Sequence, residues 1–165
     1  MFLDEYRRIN QIVKHPLYRT SLSRIEDYEK DRIFCKHDIE HFLSVARLAV
    51  ILNIKENYNQ PEELIYAVGL LHDIGRHIQY KTGEDHCTSS LPIASKIMID
   101  CKFSNDEKNQ VLKAISLHRN IEVEQDINLN GLLYRADKMS RTCFCCNVVD
   151  ECDWGVDKKN SCLIR

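Results

Sequence analysis

The stretch DIEHFLSVARLAVILNIKEN, residues 38–57, decides the fold class. Its apolar residues form two adjoining stripes, Phe42, Ala46, Ala49 and Val45, Leu48, Leu52, spaced by three and four. That is the period of an amphipathic helix with one face turned to a core. His41 lies on the same face, four, seven and eleven residues before Val45, Leu48 and Leu52. An ionisable ring is therefore predicted where the pattern calls for an apolar side chain.

Working outward, the same period recurs on both sides. Pro61 suits the first position of a helix whose first turn carries Glu62 and Glu63, and this helix runs to about Asp73 with Gly75 as its end. Upstream, Leu3 to His15 reads as a helix stopped by Pro16, and Leu22 to Ile33 as a short charged helix. Downstream, His86 to Asp100 is helical in pattern, with Pro92 requiring a start near Ser90 or a kink. Ser104 and Glu107 have capping-box spacing and open a helix to about Arg119. Asn130 is expected to cap a helix from Gly131 to about Arg141. Gly and Pro together number eight in 165 residues, too few for the many turns of a sandwich or barrel. The expectation is a single-domain, all-α bundle of about six or seven helices spanning residues 1–165.

Charge and cysteine content narrow the function classes. Lys and Arg number 23 against 25 Asp and Glu, a net charge of −2. This provides no field for nucleic acid or for an anionic membrane, but leaves room for a small phosphorylated substrate held by a local positive site. The longest apolar runs, Leu48 to Leu52 and Ala67 to Leu71, fall far short of a membrane span, and the acidic start offers no signal peptide. A cytoplasmic location with reduced thiols is expected.

The informative residues are the polar ones on apolar faces. His72 follows Val68 by four and Ile65 by seven; His118 follows Ile115 by three and Val111 by seven; Asp137 follows Leu133 by four. Asp73 sits beside His72 just before the expected turn. Burying a carboxylate costs several kcal/mol unless it is paired or bound to a metal. A lone inward histidine is usually a hydrogen-bonded core residue. Three His and two Asp on the core faces of four helices have a more economical common cause: a metal centre of imidazoles and carboxylates, suited to Fe, Mn, Zn, Co or Ni.

In this order the motifs His41-Phe42-Leu43-Ser44-Val45-Ala46, then Leu70-Leu71-His72-Asp73-Ile74-Gly75-Arg76, then Ala136-Asp137-Lys138, resemble the HD domain superfamily of metal-dependent phosphohydrolases. The resemblance covers about residues 35–141, leaving 142–165 as a cysteine-rich tail expected to pack on that core. It implies an all-α fold and a metal ion held by His41, His72, Asp73 and Asp137. By similarity to the bimetallic members, His86 and His118 would hold a second ion, with Asp73 shared between the two and a bridging water as nucleophile; alternatively these two histidines contact substrate phosphate. Asp73 is the expected catalytic residue. His37, four before His41, becomes a substrate or supporting residue. Arg76 either grips phosphate or is an exposed loop charge. Lys138 and Arg141 flank Asp137 as further candidates for substrate binding, and Arg119 is a weaker one. His77 is expected at the surface and His15 at a helix end.

Five cysteines, Cys143, Cys145, Cys146, Cys152 and Cys162, fall in the tail. Cys143 and Cys146 have the C-x-x-C spacing of half a zinc site, which Cys152 and Cys162 could complete. The other reading is that they are small buried residues closing the bundle. Trp154 is expected to pack the tail onto the core. The functional expectation is a hydrolase with two divalent ions cleaving a phosphoester or phosphoanhydride of a nucleotide-like substrate. Its rivals are a di-iron oxygenase on the same centre and a catalytically weak nucleotide-binding sensor.

Overall fold

The computed structural model describes residues 6–163 as eight α-helices joined by short loops, with no strand among the described residues. They are α1 (Arg7–Lys14), α2 (Pro16–Tyr28), α3 (Ile39–Lys55), α4 (Glu62–Leu71), α5 (Arg76–Thr82), α6 (His86–Asp100), α7 (Asn105–Leu117) and α8 (Leu129–Met139). No described helix is long and apolar enough to cross a membrane.

The stretch read first is the central helix. Asp38 caps α3, its carboxylate accepting from His41 N at 2.9 Å, which sets the start of the helix and with it the place of His41. The Phe42, Val45, Ala46 and Ala49 stripe is fully buried against α4 and α8. Burial of Phe42 and Val45 contributes about 1.5–3 kcal/mol each. The contact with α4 is close because residue 69 is glycine: a methyl group there would lie 2.7 Å from the Ala46 Cβ. On the outside, the Arg8 guanidinium ties α1 to Glu63 of α4 and to Glu107 of α7, where Ser104 and Glu107 form the expected capping box.

Several sequence expectations are corrected. The expected start at Leu3 lies outside the described residues. Pro16 stops α1 but also opens α2: His15 is extended, as a residue before proline must be, and its Nδ1 accepts from Leu17 N. The charged helix is therefore 16–28, not 22–33. Pro92 neither starts nor ends α6, which runs through it; the proline faces solvent, so the hydrogen bond it cannot make lies on the wet side of the helix. The cap of α8 is Asn128, whose side chain accepts from Asn130 N at 2.8 Å; Asn130 lies inside the helix. Helix α5 was not foreseen. It follows the Gly75 turn directly, ends at left-handed Gly83, and turns His77 inward, where its Nδ1 donates to Ile74 O. His77 is buried rather than superficial.

Candidate metal centre

Four helices and the turn after α4 bring the inward polar residues to one place. His41 comes from the first turn of α3, and His72 and Asp73 follow the end of α4. His86 begins α6, His118 ends α7 and Asp137 lies near the end of α8. The Asp73 carboxylate is central. Its Oδ1 lies 3.1 Å from His86 Nε2 and 3.4 Å from His118 Nε2. Its Oδ2 lies 3.6 Å from His72 Nε2 and 3.7 Å from His37 Nε2. Asp137 Oδ1 in turn lies 3.7 Å from His41 Nε2 and 3.9 Å from His72 Nε2. The two Asp73 oxygens thus face two groups of imidazoles.

Each histidine is aimed by the bond its other nitrogen makes. His72 Nδ1 donates to Gly69 O at 2.8 Å and His118 Nδ1 to Ile115 O at 2.7 Å. His86 Nδ1 faces Gln79 Oε1 at 2.9 Å, and His41 Nδ1 faces Ser140 Oγ at 3.4 Å. A donated Nδ1 proton leaves Nε2 bare, which is the form a metal binds. Burial, against the pull of Asp73, holds His72 neutral down to about 3, and burial likewise lowers His41. Burial would also lower His118, but Asp73 and Cys87 override it and push it up to about 10. Asp73 itself, despite burial, stays well below the ordinary carboxylate range because Arg76 and His72 favour its charge.

The polar accounting does not close. Among the described residues, seven buried side-chain polar atoms have no hydrogen-bond partner, and four of them are His41 Nε2, His72 Nε2, Asp73 Oδ1 and His86 Nε2. Each such atom costs about 1–3 kcal/mol. A cation bound among them removes that cost, and both His41–His72–Asp73 and His86–Cys87–His118 place ligand atoms within 4.8 Å of one another. These clusters could hold divalent metal.

The sequence from Asp38 through residue 142 matches the HD domain family. The chain belongs to the HD domain family. An uncharacterized protein of Clostridium beijerinckii is 41% identical over 153 residues, 93% of this chain and 96% of that protein. The crystal structure of a predicted HD superfamily hydrolase from an uncultured Thermotogales bacterium superposes with a TM-score of 0.60 at 26% identity, over 86% of this chain and 80% of that one.

The remaining candidates of this HD domain fall into place around the cluster. Arg76 is no exposed loop charge: its Nε donates to Asp73 Oδ2 at 2.9 Å. Lys138 Nζ donates to Asp137 Oδ2 at 2.5 Å, and an Arg141 Nη lies 3.9 Å from the same oxygen. Arg119 points away, pairing with exposed Asp85. Side-chain exposure rises from 0% at His72 to 15% at His41 and 28% at Lys138, so the cluster opens toward α3 and the end of α8.

Several partners went unread in the sequence. Glu29 is buried and accepts from His37 N at 2.6 Å, from His37 Nδ1 at 2.5 Å and from the Tyr80 hydroxyl. It follows Ile25 by four, so the inward face of α2 carried a signal for it. Gln79, Ser140 and Cys87 carried none, since each acts across a fold that periodicity does not describe.

Proposed function

We propose that this protein is a metal-dependent phosphohydrolase with two divalent ions, cleaving a phosphoester or phosphoanhydride of a small nucleotide-like substrate. The observation that carries the reading is the set of bare, buried Nε2 and carboxylate atoms converging on Asp73. HD family membership and the likeness to a predicted HD superfamily hydrolase support hydrolysis as the chemistry. His41, His72, Asp73 and Asp137 would hold one ion; Asp73, His86 and His118 would hold the other. When bound, such ions acidify water and bind phosphate oxygens.

The chain's own residues have defined parts. Asp73 presents one oxygen to each group of imidazoles and would be the shared ligand. Gly69 O, Ile115 O, Gln79 and Ser140 fix the rings, so little reorganisation is needed on binding. Lys138 and Arg141, at the open side, neutralise and orient an entering phosphate, and Arg76 supplies positive charge from beneath Asp73. Glu29 holds His37 with its Nε2 toward Asp73, at the edge of the position a substrate would occupy. A net charge of only −2 and a recessed cluster suit a small substrate rather than nucleic acid or membrane.

The test is to load metal-free protein with Mn²⁺ without oxygen and to assay release of phosphate or nucleotide from a panel of nucleotides, dinucleoside polyphosphates and cyclic nucleotides. Turnover is expected on at least one. Turnover confined to iron with O₂, or none with any metal, overturns the proposal.

A further inference from the structure

The tail after α8 carries an arrangement that the metal centre does not explain. From Cys143 to Leu163 only Asn160 is buried. None of the five tail cysteines is buried, so they do not close the bundle. Among the described residues, no group of three or more metal-ligating atoms within 4.8 Å of one another includes one of them. Polar contacts order the segment instead. Asn160 Nδ2 donates to the carbonyls of Lys138, Met139 and Arg141, which caps the end of α8. Lys159 Nζ donates to Val149 O at 2.7 Å and closes residues 149–159 into a loop. Trp154 lies in the middle of that loop.

Trp154 does not pack the tail onto the apolar core, as the sequence suggests it should. The Arg141 guanidinium stacks on its ring at 3.3 Å, the Lys158 ammonium lies 5.9 Å from the same ring, and the residue is 37% exposed. A tryptophan that only anchors a segment gains by burying both faces, about 150–250 Å² in all. Here one face rests on a cation and much of the rest stays wet. Arg141 in turn reaches the metal centre: its Nη2 lies 3.9 Å from Asp137 Oδ2, and its buried Nη1 has no hydrogen-bond partner. A buried N–H without an acceptor on the chain is poised to meet one on a ligand. The contacts of 3.3 Å and 3.9 Å run in series, separated only by the width of a guanidinium, so the indole lies within one nucleoside's length of Asp137. The end of α8 is also the side on which the cluster opens.

From this relay of indole, guanidinium and carboxylate, we infer that Trp154 is a stacking platform for the planar base of the substrate, with Arg141 gripping the adjoining phosphate. The inference rests on the reading of the protein as a nucleotide phosphohydrolase and narrows it: the substrate carries an aromatic base one nucleoside away from the phosphate at the metals. An indole face suits that task because every base has a π-face to lay on it. Stacking on Trp154 also fixes the plane of the Arg141 guanidinium, so its N–H groups are pre-aimed at phosphate oxygens.

Trp154 is the only tryptophan of the chain, so the protein's tryptophan emission reports on it alone. The full chain, loaded with Zn²⁺, is titrated with AMP, GMP, CMP and UMP and with ribose 5-phosphate, which is AMP without its base, and read before measurable turnover. Saturable quenching is expected with the nucleotides and none with ribose 5-phosphate. By equilibrium dialysis, Trp154→Leu should bind AMP about 5- to 150-fold more weakly, the range that base stacking supplies, and ribose 5-phosphate as the wild type does. Trp154→Tyr should recover most of the loss, and circular dichroism should show both variants folded. The inference is overturned if no nucleotide quenches, if ribose 5-phosphate quenches equally, or if Trp154→Leu binds AMP unchanged or loses AMP and ribose 5-phosphate alike. Turnover of a nucleotide without quenching removes this inference and leaves the proposed function standing. Quenching without turnover under any metal leaves the stacking platform and removes the hydrolase.

Discussion

Gly75→Ala tests how the fold sets the spacing inside the metal centre. Gly75 has φ −87° and ψ 0°, which any residue adopts, so its smallness rather than its flexibility is what matters. A methyl group there would lie 2.4 Å from Ser90 N and 2.5 Å from the Ser89 carbonyl carbon, where ordinary contact begins near 3.4 Å. The obstacle is backbone, so α6 must retreat by about 1 Å. Two buried hydrogen bonds cross the same contact, Gly75 N to Ser90 Oγ at 2.9 Å and Ser89 Oγ to Gly75 O at 3.1 Å. Overpacking costs about 1–3 kcal/mol and each weakened bond about 0.5–1.5 kcal/mol. The sum, about 2–6 kcal/mol, leaves a folded protein at all but the lowest ordinary stability of about 5–15 kcal/mol. Because His86 opens α6, the same retreat carries it away from Asp73 Oδ1, now 3.1 Å distant. Urea unfolding should show the loss, and metal analysis should show the His86–His118 position weakened while the His41–His72 position remains. Unchanged stability together with unchanged metal content would refute the reasoning.

Other expectations follow from named contacts. A His86→Ala/His118→Ala double variant should fall from about two ions to about one per chain by elemental analysis, with its circular dichroism unchanged. Gln79→Leu, which removes the partner of His86 Nδ1, should weaken the second ion by about 10-fold or more in a metal titration. Arg8, acting against burial, holds Glu107 down at about 2, below an unfolded value near 4.5. Its contribution is therefore complete above pH 4.5 and lost as pH falls toward 2. Glu107→Gln should cost ~1 kcal/mol at neutral pH and flatten that acid limb in denaturation curves.

The helices that carry the centre were legible because burial imposes a period: His41, His72, His118 and Asp137 each stood out as a polar residue on an apolar stripe, and each lies in the cluster. Short or dual-purpose signals were less readable. Pro16 ends one helix and begins the next, and seven-residue α5 offers too few turns for a period to emerge. The supporting contacts were mostly illegible. Glu29 with His37, Gln79 with His86, and Ser140 with His41 are pairings made by tertiary structure, and no local spacing encodes them. His77 was expected at the surface although it follows Ile74 by three, and it is buried.

The central claim is that Asp73 is shared between two metal positions. Anomalous diffraction from crystals soaked in Mn²⁺, recorded above and below the manganese edge, tests it directly. The account predicts two peaks, one bounded by His41, His72, Asp73 and Asp137, the other by Asp73, His86 and His118, both bonded to the Asp73 carboxylate. A map with no peak at Asp73, or with a single peak that leaves His86 and His118 without metal at saturating Mn²⁺, would contradict it.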